Sequence, residues 1–397
     1  MTQTSAEQMR AWRGPALFSF GFRPFFLFGT LWVAIAMVVW LLALSGTVTL
    51  PTRFDPVSWH AHEFLFGYLG AVLAGFLLTA VPNWTGRLPM VGWPLAALFG
   101  LWVAGRGAVL FSDFLTAGVT AVVDLAFLVV LGVLILREII AGKNWKNLFV
   151  LALLSVFTLA NALFHIEAMQ GDYAAQGYGL RLGAATAVMM IAVIGGRIIP
   201  SFTRNWLART DNPARPTPPM QRYDKLVLLV SVLVLMVWVL KPFAPQSGGL
   251  IVVLGGLHLV RLARWQGHHT TRDPLVWVLH AAYAFIPVGA LVLGAALVLG
   301  ASSTAAAQHL WMTGAIGAMT LAVMTRATLG HTGRELHANS ATLAIYLCLF
   351  AAVVARLASP LWPMLSYASG LLWLGAFGGF VLIYGPMLWL PKSEATR

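Results

Sequence analysis

A chain of 397 residues in which 59% are hydrophobic and only 10% charged, with a mean hydropathy of +0.81, cannot be an ordinary soluble domain, where about a quarter of residues are charged. One cysteine, Cys348, excludes an internal disulfide and any thiolate cage, so metal chemistry has to rest on histidine. The net charge of +12 is spread over many short loops and forms no single patch with interleaved aromatics, so membrane topology explains it and nucleic acid is not an expected partner.

The polar, mildly basic residues 1–22 precede an apolar run that is too long for a signal-peptide core and lacks a small-residue cleavage site, so they read as retained. Twelve spans follow, at 23–45, 59–82, 93–111, 115–136, 147–167, 178–200, 225–241, 247–264, 274–299, 304–328, 339–357 and 366–390. Each is long enough to cross a hydrocarbon layer of about 30 Å as a helix. The fold expected is an all-α polytopic membrane protein, one transmembrane domain over 1–397. An even number of spans puts both termini on one side. The loops and ends of that side hold eighteen Lys and Arg, against four on the other, with Arg106, Arg197 and Arg326 inside spans. Both termini are therefore expected in the cytoplasm. The Pro-rich basic stretch 204–225 reads as a cytoplasmic loop joining two halves.

This orientation sorts the histidines by depth. His60 and His62 open span 2, His165 closes span 5 and His309 lies near the start of span 10, so all four lie toward the outer face. His258 and His280, on adjacent antiparallel spans, both lie about 10 Å in from the cytoplasmic side at 1.5 Å rise per residue. His331 ends span 10, and His268, His269 and His337 fall in loops.

An internal repeat accompanies this pattern. An offset of 247 residues superposes HEFLFGYLGA (62–71) on HLWMTGAIGA (309–318), matching His62 with His309 and Gly67 with Gly314, and it brings the two TGR triplets, 85–87 and 332–334, into register. Weaker matches bring in span 6, through Pro82 with Pro200 and Arg197 with Arg326. Spans 2, 6 and 10 are four helices apart, which suggests three four-helix units near 23–136, 147–264 and 274–390.

Ionisable groups in lipid are costly and normally face an interior site. A lone intramembrane histidine is more often a hydrogen-bonding residue between helices, but four at one depth point to a metal. His60 and His62 project about 200° apart on a regular helix, and Asp55-Pro56 favours a regular helix start. Either the first turn is irregular and both are ligands, or His62 is a ligand and His60 its neighbour. Copper and haem iron suit an imidazole site without thiolate. Glu63 and Glu167 read as orienters or proton donors, or else as ordinary interfacial charge. His258 and His280 have the geometry to clamp a haem or share a metal, with Arg261, Arg197 and Arg326 placed either to hold haem propionates or to snorkel. Arg106 and Asp124 read most simply as a structural ion pair across spans 3 and 4.

The stretches WHAHEFLFGY, FLLTAVPNWTGR, ANALFH, GGRIIPSFTRNW and GAIGAMTLAVMTRATLGHTGR resemble the NnrS family of bacterial inner-membrane proteins over nearly the whole chain and in the expected order. Where the family has WHAHEM this chain has Phe64, an apolar exchange. The resemblance implies haem b and copper, and a role in nitric oxide metabolism and nitrosative stress, often beside denitrification. Twelve spans in four-helix repeats are also similar to haem-copper oxidases, by fold analogy alone; their adjacent His-His pair has no match within the spans here.

The expected function is a redox enzyme that takes nitric oxide as substrate and reduces it with electrons from an unknown donor, Glu63 supplying protons. The alternatives are a metalloprotein that sequesters nitric oxide or handles copper and haem, and a transporter, for which no pair of broken half-helices stands out.

Overall fold

The structure, a computed structural model, describes residues 12–391. The ends, 1–11 and 392–397, lie outside the described residues, and with them half of the expected cytoplasmic amino terminus. Among the described residues the secondary structure is entirely helical.

Twelve long helices follow one another: α1 Phe22–Leu44, α2 Pro56–Thr85, α3 Trp93–Leu110, α4 Ala117–Ala141, α5 Leu148–Met169, α6 Tyr178–Arg209, α7 Arg222–Leu240, α8 Pro245–Ala263, α9 Pro274–Val298, α10 over 305–331, α11 Ser340–Ala358 and α12 Leu365–Trp389. Eleven are long and apolar enough to cross a membrane. The remaining one, α10, carries Gln308, His309, Arg326 and four threonines, which lowers its hydropathy. The protein is thus a multi-pass membrane protein.

Most helix ends fall within a few residues of the expected spans, α4 running on to Ala141, five residues past its expected end, and two further differences have local causes. Asp55 accepts Val57 N–H at 3.0 Å and Ser58 N–H at 2.9 Å on its Oδ1, so α2 starts at Pro56, earlier than hydropathy alone suggests. The other difference is in α6, which runs nine residues past its expected end. The stretch SFTRNWLAR contains no helix breaker, so 204–209 of the supposed loop are helical.

The chain divides into two compact units, one of residues up to Gly183 together with those from Phe380 onward, the other Ala184–Gly379. In the first unit α1 approaches α2 closely: a Cβ on Gly75 would meet the Phe26 ring. The buried Arg23 at the start of α1 donates to Leu388 O at 3.2 Å and Leu390 O at 2.9 Å, satisfying carbonyls that α12 leaves open at its end.

Two helices change pitch directly after a histidine. In α2 a π-segment, Glu63–Tyr68, follows His62; in α10 a π-segment, Leu310–Gly317, follows His309. Both start at matching positions of the 247-residue repeat. Such i→i+5 turns are rare and frequently lie at functional sites. In α2 the Gly67 carbonyl within the wide turn accepts Trp102 Nε1–H at 2.9 Å, so α3 satisfies a backbone group at the irregularity.

Candidate metal centre

Five consecutive helices of the first unit each contribute to one polar cluster: Trp32 from α1, His62 and Glu63 from α2, Arg106 from α3, Asp124 from α4, Asn161 and His165 from α5. Apart from Trp32 all are buried, His62 and Glu63 completely. Asp124 is the hub. Its Oδ2 lies 3.2 Å from His62 Nε2 and 3.0 Å from His165 Nε2, and it accepts Asn161 Nδ2–H at 2.7 Å. Its Oδ1 accepts from Arg106 Nη2. The same guanidinium donates from Nη1 to Glu63 Oε1. Glu63 Oε1 also faces His62 Nδ1 at 3.0 Å, and Glu63 Oε2 accepts Trp32 Nε1–H at 2.6 Å.

His62 therefore has acceptors at both ends of its ring, because its Nε2 lies 3.0 Å from Asn161 Oδ1 as well. A neutral imidazole carries one N–H. If Nδ1–H is donated to Glu63, Nε2 faces two oxygens, an arrangement satisfied either by a second ring proton or by a cation between them. Within the described residues His62, Asp124 and His165 form the one group of three metal-ligating side chains whose ligand atoms all lie within 4.8 Å of one another. Glu63 behind His62 has the carboxylate-histidine-metal arrangement that fixes tautomer and ring orientation. The residues fit a transition ion.

Aromatic rings seal the cluster. Phe54, in the loop before α2, stacks on His62 at 5.6 Å between centroids and meets His165 edge-on at 5.7 Å; Phe66 and Phe164 each lie 5.4 Å from His62. The loop is anchored through Thr52 to Val109 O at 2.9 Å and through Arg53 to Ser112 O and Leu115 O. Two glycines make room for the charges. A Cβ on Gly67 would fall against Arg106 Nη1 and Glu63 Oε2, and one on Gly105 would lie 3.1 Å from Asp124 Oδ1. Gly67→Ala is expected to displace the guanidinium, to destabilise the chain by about 1–3 kcal/mol as overpacking does, and to weaken metal retention. Thermal unfolding combined with metal analysis of the purified variant checks this.

The other expected site residues are distributed differently. His60 stacks on Trp40 at 4.5 Å on the far side of α2 from His62, so a regular first turn separates the two imidazoles as their spacing implies, and His62 alone joins the cluster. Glu167 is engaged elsewhere. Its carboxylate accepts Tyr178 N–H at 2.5 Å and Gly179 N–H at 3.1 Å, capping the positive end of α6. Asn161, and Asp124 as a potential ligand, were not singled out by the sequence reading.

His309 belongs to the second unit, where its Nδ1 is donated to Ala305 O at 2.7 Å, within its own helix. The same unit holds His258 and His280, with unequal environments. Ser231 Oγ donates to Val227 O at 2.7 Å and so accepts His258 Nε2–H at 3.0 Å. The His258 Nδ1 lone pair is then taken by Tyr283 O–H at 2.8 Å. Both nitrogens of His258 are thus engaged by hydroxyls. His280 is different. Thr203 Oγ1 donates to Ile199 O and accepts His280 Nε2–H at 2.8 Å, while Nδ1 is buried without a hydrogen-bond partner. Of these two histidines His280 is the one that keeps an uncommitted lone pair, on an Nδ1 against which Gly267 packs closely: a Cβ there would lie 2.5 Å from it.

Arg261 does not snorkel. It is fully buried, donating to Asp224 Oδ1 at 2.7 Å and to Ala192 O and Tyr283 Oη at 2.8 Å each, while its Nη2 is buried against Gly196 without a hydrogen-bond partner. Arg326 is half-buried with its guanidinium 4.3 Å from the centre of the Phe202 ring and Nη1 buried without a hydrogen-bond partner; it retains capacity for an anion. Arg197 is half-buried and His331 exposed.

No curated protein matches this chain. The model of the family described as NnrS protein, by contrast, matches residues 16–392, a range that takes in all twelve helices and every residue of both buried clusters, and the chain belongs to the NnrS family.

Proposed function

We propose that this chain is a bacterial inner-membrane metalloprotein of nitric oxide metabolism, with both termini cytoplasmic, that holds copper between His62, Asp124 and His165 and haem b on His280, and that captures nitric oxide. Family membership supports the connection with nitric oxide. The observation that carries the metal is the convergence of His62, Asp124 and His165, buried side chains whose ligand atoms all lie within 4.8 Å of one another. When bound, such metals take up nitric oxide as a ligand and exchange single electrons. The protein's own part is positional: Glu63 orients His62, Arg106 balances the two carboxylates, and Phe54 and Phe164 keep water from the centre.

Capture is favoured over turnover by the state of the carboxylates. Both oxygens of Glu63 and both of Asp124 are occupied by fixed donors or imidazoles, and Glu167 caps a helix, so none of them is a ready proton donor. Reduction of two nitric oxide molecules by two electrons and two protons, giving nitrous oxide and water, is the second reading. It is favoured by the uncommitted lone pair of the buried His280 Nδ1, a candidate ligand for a second redox group.

Anaerobic purification of the full chain in detergent, with metal analysis and a visible spectrum, tests both. The wild type is expected to carry copper and a haem Soret band. His62→Ala should lose copper, His280→Ala should lose haem, and His258→Ala should keep haem. Binding of nitric oxide without steady nitrous oxide release supports capture, sustained release supports the second reading, and a chain with neither metal overturns the proposal.

A further inference from the structure

We infer that the His62–Asp124–His165 centre is charge-matched to a monovalent cation that favours imidazole nitrogen, the chemistry of Cu(I) and of Ag(I), and that Arg106 sets this preference. The inference rests on the reading of the centre as a metal site and goes further, to the charge of the ion. Among the described residues, the ion pairs of Glu63, Asp124 and Arg106 are with one another and with the two histidines. Two carboxylates and one guanidinium leave a formal charge of minus one when the imidazoles are neutral. The cluster is sealed from water by Phe54, Phe66 and Phe164, so that charge is not screened, and a buried excess of either sign is costly. One positive charge closes the balance, either a proton on His62 or a monovalent ion that takes its place; a divalent ion overshoots it.

The donor set narrows the choice among monovalent ions. Two imidazole nitrogens, His62 Nε2 and His165 Nε2, face one carboxylate oxygen, Asp124 Oδ2, and one amide oxygen, Asn161 Oδ1. Hard cations seek shells made of oxygen, whereas imidazole suits copper and its neighbours. Arg106 acts on the count twice. Its Nη2 holds Asp124 Oδ1 away from the ion and its Nη1 offsets Glu63. Without that guanidinium the same ligands would carry minus two, the match for a divalent ion.

The experiment measures equilibrium binding of Ag(I) and Zn(II), both redox-inert, to the detergent-purified full chain stripped of metal. The wild type is expected to bind Ag(I) more tightly than Zn(II) by more than about 100-fold, the size of mismatch that two or more steps of 1.4 kcal/mol produce. Arg106→Gln should move the ratio toward Zn(II) by at least about tenfold, while Arg106→Lys, which keeps the charge, should leave Ag(I) preferred. Glu63→Gln removes one negative charge and an orienting group, so Ag(I) binding should fall by about 10- to 100-fold and Zn(II) binding further. Should Arg106→Gln not fold, Glu63→Gln and Arg106→Lys still decide. A wild type that binds Zn(II) as tightly as Ag(I), with the ratio unmoved by these changes, overturns the charge rule and leaves the metal site standing. Retention of neither ion overturns both.

Discussion

Asp124→Ala is expected to abolish metal retention at the first-unit centre and to destabilise the chain by about 3–5 kcal/mol, the cost typical of removing one partner from a buried ion pair. Asp124 is the one residue that touches every other group of the ligand set. Without it Arg106 Nη2 and Asn161 Nδ2 lose their acceptor at once, in a place where water does not replace it. Asp124→Asn separates charge from hydrogen bonding: it keeps the volume and one carbonyl oxygen, so it should retain more stability than the alanine variant and still fail to hold the ion. Thermal unfolding followed by size-exclusion, together with metal content, reads both effects. An alanine variant as stable as the wild type would mean that the cluster is not closed to water.

The asymmetry between what was legible and what was not follows from the physics of a helix in lipid. Span number and depth are read from hydropathy and rise per residue, and these placed His62 with His165 and His258 level with His280. Rotation about each helix axis is set by packing against neighbours distant in sequence, so the partners were not legible. Asn161 lies one turn before His165 and faces the same way, a spacing available in the sequence but ambiguous without knowing which side of α5 is buried. The π-segment after His62 alters facing again, and no residue pattern announced it apart from the repeat with α10. Two residues from His165, Glu167 fits in sequence either a role in the chemistry or ordinary interfacial charge. The α5–α6 loop, 170–177, is short enough for this carboxylate to meet the start of the next helix, so capping was the cheaper use. Equal depth pairs His258 with His280 in the sequence, whereas Ser231 and Tyr283 supply hydroxyls at the two nitrogens of His258. Depth alone does not distinguish a ligand from a hydrogen-bonded imidazole.

The second unit contains a counterpart that sharpens this distinction, and its removal is the other large effect expected. Arg261→Met leaves Asp224 buried without its guanidinium and Tyr283 Oη without one of its donors, and should cost about 3–5 kcal/mol; Asp224→Leu should cost a similar amount for the opposite reason. Asp224 and Arg261 sum to zero, unlike the first-unit cluster, so this pair needs no ion, and replacing both members removes the penalty that each single change exposes. The double variant Asp224→Leu/Arg261→Met is therefore expected to be more stable than either single one, with a coupling of about 0.5–3 kcal/mol or more in a double-mutant cycle, and to keep its metal at the His62 centre. Thermal unfolding of the four proteins measures the coupling, and metal analysis measures retention. Simple additivity would mean that the two charges are each satisfied by other groups. Loss of the first-unit metal in the double variant would mean that the second cluster serves the centre and is not an independent structural pair.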